Sequence, residues 1–128
     1  MIIPVLSYGQ SNLSGIWKFD LTSSLEETSS RQKYDSLPPS IQEQLSGSFG
    51  SRVFSFDSAQ VEISWTQDAA TKLISGEYTF DDAAMTLNVM ISGRTTRFNV
   101  ISLSGTDLVL EDPVGGGVFH KLYFRKEE

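Results

Sequence analysis

The chain has 128 residues, with ten Lys and Arg against sixteen Asp and Glu for a net charge of −6 and a pI near 4.7. That length holds one core and leaves no room for a second domain, and the acidic balance repels nucleic-acid phosphates and anionic membrane surfaces. With no cysteine and a single histidine, His120, disulfides, thiolate metal sites and cysteine nucleophiles are excluded, and metal or acid–base chemistry has little to draw on.

A hydrophobic share of 39% and a charged share of 20% describe a folded domain rather than a disordered chain. No apolar run approaches the roughly 20 residues of a membrane-spanning helix, so membrane insertion is not expected. Residues 1–12 open with the apolar "MIIPVL" and continue with the small and polar "SYGQSN". They read as an N-terminal tail or an extra short strand. The competing reading is the remnant of a secretory signal without its basic start, which would make the protein periplasmic or secreted. An upstream in-frame start codon encoding Lys or Arg decides between them.

The domain proper, residues 13–128, begins with a strand from Leu13 to Leu21. In "LSGIWKFD", Leu13, Gly15, Trp17 and Phe19 share one side, and Ser14, Ile16, Lys18 and Asp20 the other. Thr22 to Gly50 loses the period of two. There "SSLEETSSRQKYD" reads as loop or weak helix. "SLPPSIQEQLSG" reads as a helix, with Pro38 or Pro39 in the first turn and Gly47 at the C-terminal cap. Its stripe of Leu37, Ile41 and Leu45 is expected to lie across an open end of the β structure.

From Ser51 the chain alternates in short segments. Arg52 to Asp57 put Phe54 and Phe56 on one face, and Ala59 to Trp65 align Val61, Ile63 and Trp65. After "TQDAAT", Lys72 to Phe80 align Ile74, Gly76, Tyr78 and Phe80. Beyond the "DDAA" turn come Met85, Leu87, Val89 and Ile91, and Ser92–Gly93 makes a tight turn. Arg94 to Leu103 slip by one, from Phe98 and Val100 to Ile101 and Leu103, as a β-bulge near Val100 would require. Leu108 and Leu110 follow "SGTD", then comes the glycine-rich turn "EDPVGGG", and Val118 to Lys126 form the last strand.

Eight antiparallel strands leave two raw edges unless the first lies beside the last. The expected fold is therefore all-β, a single eight-stranded antiparallel up-and-down β-barrel with a short helical insertion between strands 1 and 2. A barrel of about eight strands can be filled by side chains or hold one small ligand.

"GIWK" at Gly15–Lys18 resembles the G-x-W signature opening the first strand of lipocalins and fatty-acid-binding proteins, together the calycins. The resemblance implies that Trp17 plugs one barrel end and that a basic residue of the closing strand, Arg125 or Lys121, packs across its ring. Arg125 is the residue assigned to the plug with Gly15 and Trp17. A mechanism supports the pattern: glycine lets neighbouring groups approach, the indole fills the narrowing, and a cation is attracted to its face. Fatty-acid-binding proteins also carry a helical lid between the first two strands and an Arg-x-Tyr pair for a carboxylate. Here Lys121-Leu122-Tyr123 stands in that place, without the bidentate fork of arginine. Those proteins have ten strands against the eight expected here. The layout is more similar to the bacterial lipocalin-like group, many of whose members have no known ligand.

Two assignments of the last strand stay open. If Phe119, Lys121, Tyr123 and Arg125 face inward, a cation and a phenol point into the cavity as a grip on an anion. If they face outward, the more apolar set of Val118, His120, Leu122 and Phe124 is core, and the pattern favours that set. His120 reads as a satisfied wall residue, and Arg94 and Arg97 as solvated residues beside a turn. Glu26–Glu27, Asp81–Asp82 and Glu111–Asp112 read as solvated turn charges without calcium-loop spacing. No phosphate loop, metal-ligand spacing or nucleophile triad is visible.

The function expected from these residues is binding rather than catalysis, without metal or cofactor. A small hydrophobic or amphipathic molecule would sit among Phe54, Phe56, Trp65, Tyr78, Phe80, Met85, Leu87 and Phe98, with Lys121 and Tyr123 as its polar grip. The alternative is a structural or protein-interaction module in which the same residues fill the barrel. The sequence names no protein partner.

Overall fold

Side-chain alternation, cut by left-handed turn residues, builds the sheet. The computed structural model describes residues 13–113 and 118–127. The tail-or-signal segment 1–12, part of the glycine-rich turn (114–117) and residue 128 lie outside the described residues. The strands are β1 (Gly15–Phe19), β2 (Val53–Asp57), β3 (Gln60–Gln67), β4 (Ala70–Asp81), β5 (Thr86–Ile91), β6 (Arg94–Leu103), β7 (Asp107–Glu111) and β8 (Lys121–Glu127). Each pairs antiparallel with the next, and β1 pairs with β8 to close the barrel.

The turns are tighter than the sequence suggests. "TQDAAT" reads as a six-residue break, yet Gln67 pairs with Ala70. Asp68 and Ala69 alone make the turn, at φ of 54° and 64°. Ser92 and Gly93 do the same between Ile91 and Arg94, at 54° and 77°, the left-handed pair that suits the twist of a two-residue hairpin. The expected slip near Val100 is present as a register shift between Val100 and Ser102. Gly76 lets β4 and β5 approach closely: a Cβ there would run into the Met90 carbonyl oxygen and Ile91.

One end of the barrel is sealed around Trp17. Its ring is fully buried, and its indole N–H donates to the Leu13 carbonyl at 2.8 Å, so the one polar atom of the plug is satisfied. Trp17 stands opposite Phe54 of β2 and Lys126 of β8. The Lys126 ammonium lies 5.5 Å from the ring centroid, within cation–π range. A Cβ on Gly15 would sit 2.7 Å from Lys126 Cε, and Gly15 has φ of +128°. Glycine is needed there both for its backbone and to let the lysine stem pass.

The cation on the plug is thus Lys126, which corrects the assignment of Arg125 and Lys121. Phe124 is buried in the core, so the period of two turns Leu122 and Lys126 inward and Lys121, Tyr123 and Arg125 outward. Arg125 instead reaches Asp20 at 3.2 Å with its side chain 70% exposed, a surface pair of small energetic weight.

Three helices fill the connection between β1 and β2: α1 (Leu21–Ser24), α2 (Thr28–Asp35) and α3 (Pro39–Gly50). The serine-rich stretch is therefore ordered, and its serines explain why. Ser24 and Ser30 are fully buried. Ser24 Oγ accepts from the Tyr123 N–H at 3.0 Å and donates to the Asp20 carbonyl at 2.8 Å. Ser30 Oγ accepts from the His120 N–H at 2.8 Å. Asp20 caps α1, accepting from Ser23 N–H at 3.0 Å and Ser23 Oγ at 2.8 Å. Burial opposes its ionisation, but these bonds and Arg125 outweigh burial and hold its carboxyl below the usual aspartate value.

Pro39 falls in the first turn of α3 as expected, but the helix runs past Gly47 to Gly50. The extra turn carries Phe49 onto Phe19 and Phe119, at centroid distances of 5.3 and 4.9 Å. Phe49, rather than the Leu37–Ile41–Leu45 stripe, is the anchor: no α3 residue is fully buried, and Ile41 is exposed. Gln42 holds the entry to α3 by donating to the Tyr34 and Leu37 carbonyls at 2.9 and 3.1 Å.

Replacing Gly15 with Ala forces a side chain into the left-handed region and against Lys126. We expect a loss of about 1–3 kcal/mol in unfolding free energy, read by urea denaturation followed through tryptophan fluorescence. Unchanged stability would mean that the lysine stem does not occupy that space.

Candidate ligand-binding site

Strand alternation determines which side chains point into the barrel, while their size determines whether the interior is full. Toward the Trp17 end, Phe56, Val61, Tyr78, Leu87, Leu108 and Leu110 are almost completely buried. Phe56 and Tyr78 meet edge to face at 4.9 Å, and this half is packed shut.

The opposite half is hollow. One lobe, of about 230 Å³, lies among Phe19, Phe49, Arg52, Phe54, Phe98, Asp112, Val118, Phe119, Leu122 and Phe124. A second, of about 260 Å³, lies among Phe54, Ile63, Ile74, Val89, Ile91, Arg94, Thr96 and Phe98. They share Phe54 and Phe98. Together they reach the lower part of the range of about 300–1,000 Å³ usual for small-molecule sites, and their walls have the mostly apolar character of such sites.

The residues expected to line a cavity are thus dispersed. Phe54 and Phe98 border both lobes. Phe56, Tyr78 and Leu87 belong to the packed half, and Phe80 and Met85 are partly buried against the core. Met85 immediately precedes β5, and its carbonyl accepts from the Val100 N–H at 2.8 Å. Trp65 is half-buried at the open end, with its indole N–H 3.2 Å from Gln67 Oε1. Lys121 and Tyr123 are on the outer face, where Tyr123 stands beside Val109 in the strand register. The anion grip proposed for them does not form inside the barrel, because the inward row of β8 is Leu122, Phe124 and Lys126.

Several wall residues are not among those expected to line a cavity. Phe19, Val89 and Ile91 continue alternating rows already recognised, so their facing was available. Phe49 and Arg52 come from the α3–β2 junction, where no periodicity announces them. Arg94 is exposed, as expected, yet borders the second lobe. His120 is exposed rather than a wall residue, and its Nε2 lies 3.4 Å from Glu111 Oε2. Glu111 also accepts from Asn99 at 3.3 Å.

Arg52 dominates the electrostatics of the first lobe. Its guanidinium carbon is 4.0 Å from the Phe49 ring centroid and 5.0 Å from that of Trp65, and Nη2 donates to Ser48 Oγ at 3.0 Å. Burial pulls its pKa down, because desolvation disfavours the charged form.

No protein-family model and no curated protein matches this sequence. The crystal structure of a lipocalin-like protein from Bacteroides uniformis is similar to this chain with a TM-score of 0.57 and 14% identity, covering 91% of this chain and 99% of that one. The likeness shows the fold: this is a lipocalin-like, eight-stranded antiparallel barrel.

The contrast between the halves is measurable. Phe56→Ala leaves a void in a packed layer and should cost about 3–5 kcal/mol. Phe98→Ala removes a ring that already borders open space and should cost about 1–2 kcal/mol. Urea denaturation of both variants checks this, and equal losses would mean that the hollow half is also filled.

Proposed function

We propose that this protein binds a small hydrophobic or amphipathic molecule in the two-lobed cavity at the open end of its barrel. The observation that carries the reading is the division of the interior. The Trp17 half is packed, while the other half keeps two neighbouring apolar hollows that share Phe54 and Phe98 as walls. Each 100 Å² of apolar ligand surface removed from water there gains about 2.5 kcal/mol, less the cost of ordering the ligand. The lipocalin-like fold is typically a binding rather than a catalytic one, which agrees with this reading. The packed half favours a second reading, a structural or protein-interaction module without ligand, and the same experiment separates the two.

Native mass spectrometry of the purified protein should reveal a co-purifying small molecule. A polarity-sensitive fluorescent lipid should bind saturably at one site. Ile74→Trp, which fills the second lobe from its rim, should weaken that binding about tenfold or more. No co-purified mass and no saturable binding across acyl, steroid and porphyrin probes would favour the module without ligand.

A further inference from the structure

Hydrophobic burial accounts for every large side chain around the first lobe except Arg52. Its position is fixed from both sides, since its N–H donates to the Phe49 carbonyl and its own carbonyl accepts from the Phe19 N–H, each at 3.0 Å. The guanidinium cannot shed its charge, and two aromatic rings and Ser48 Oγ are its neighbours. Its Nε is sealed from solvent without a hydrogen-bond partner. Among the described residues no carboxylate lies within ion-pair distance of it. Asp112 borders the same lobe but has an interaction of its own and forms no ion pair with Arg52. The side chain is half-buried, and a guanidinium partly withdrawn from water with one N–H unpartnered and no counter-charge gains from an anion brought beside it.

We propose that Arg52 anchors the carboxylate of an amphipathic ligand whose apolar tail runs past Phe54 and Phe98 into the lobe lined by Ile63 and Val89. The inference rests on the binding function proposed above and names the chemical class of the ligand. A monocarboxylate fits better than a phosphate or a polyanion for two reasons. The planar fork of a single guanidinium matches a planar carboxylate. A more highly charged head would meet a single half-buried cation in a protein of net charge −6.

Three ligands with a common tail test the anchor: decanoate, decanol and decylamine, each displacing the uncharged dye Nile red. The wild type should prefer decanoate over decanol by about tenfold or more and bind decylamine least. Arg52→Met retains the apolar stem and removes the fork. It should lower decanoate affinity by about tenfold or more while leaving decanol within about twofold. Near-UV circular dichroism confirms that the variant is folded. If it is not, Arg52→Lys, which keeps the charge but not the fork, takes its place and should weaken decanoate alone. A wild type without preference between decanoate and decanol, or an Arg52 variant that weakens both equally, overturns the anchor while the cavity stands. Failure of all three ligands to bind overturns the cavity and the anchor together.

Discussion

The structure depends on β1, five residues long, pairing with two strands at once. Trp17 stands between Phe54 of β2 and Lys126 of β8, so the residue that seals the barrel end is also at the seam that closes the sheet. Closure satisfies the edge groups that an open eight-stranded sheet would present to water or to another chain. The seam is reinforced from inside by the Lys126 stem crossing the indole, and from outside by the insertion that follows β1. The inner reinforcement passes over Gly15, where a Cβ would meet the Lys126 side chain.

The insertion extends this closure. After β1 ends, the Asp20 N–H still donates to the Tyr123 carbonyl at 2.7 Å, and Ser24 and Ser30 take over as partners for the N–H groups of Tyr123 and His120. Side-chain hydroxyls thus continue a ladder that the backbone can no longer supply. The low hydropathy of this stretch makes it read as loop or weak helix in sequence, but its buried serines have fixed partners, and Leu25 and Tyr34 pack with the core. Polar composition records the partners that a segment needs without showing where they are.

Facing was legible in the sequence, and depth was not. Alternation separates inward from outward residues along most of β2 to β7, and the bulge near Val100 appears as a break in it, but Ile101, expected on the face of Leu103, is the unpaired bulge residue and is exposed. Whether an inward residue sits in the packed half, at a rim or beside a cavity depends on the stagger between strands, which no single strand records. Phe54 and Phe56 are therefore indistinguishable in sequence, although Phe56 is core and Phe54 is a cavity wall. The last strand was ambiguous for a related reason: Lys126 points inward and Tyr123 outward, so residue type opposes facing at both positions. The expected cation over the plug is present, carried by a different residue of the same strand.

Side-chain volume explains why the interior is divided as it is. In the closed half, the fully buried Trp17 lies at the end and the rings of Phe56 and Tyr78 meet edge to face. In the open half, β3 to β6 contribute Ile63, Ile74, Val89, Ile91 and Thr96, whose side chains are shorter. The facing wall carries Phe19, Phe119 and Phe124 and, from the last turn of α3, Phe49, and these rings pack on one another at 4.9 to 5.6 Å. The hollow is what remains between this aromatic wall and one that is mostly aliphatic apart from Phe98. Arg52 stands at the margin of the aromatic wall because α3 must end there to deliver Phe49. The constraint that anchors the helix therefore also places the half-buried guanidinium of Arg52 at the cavity.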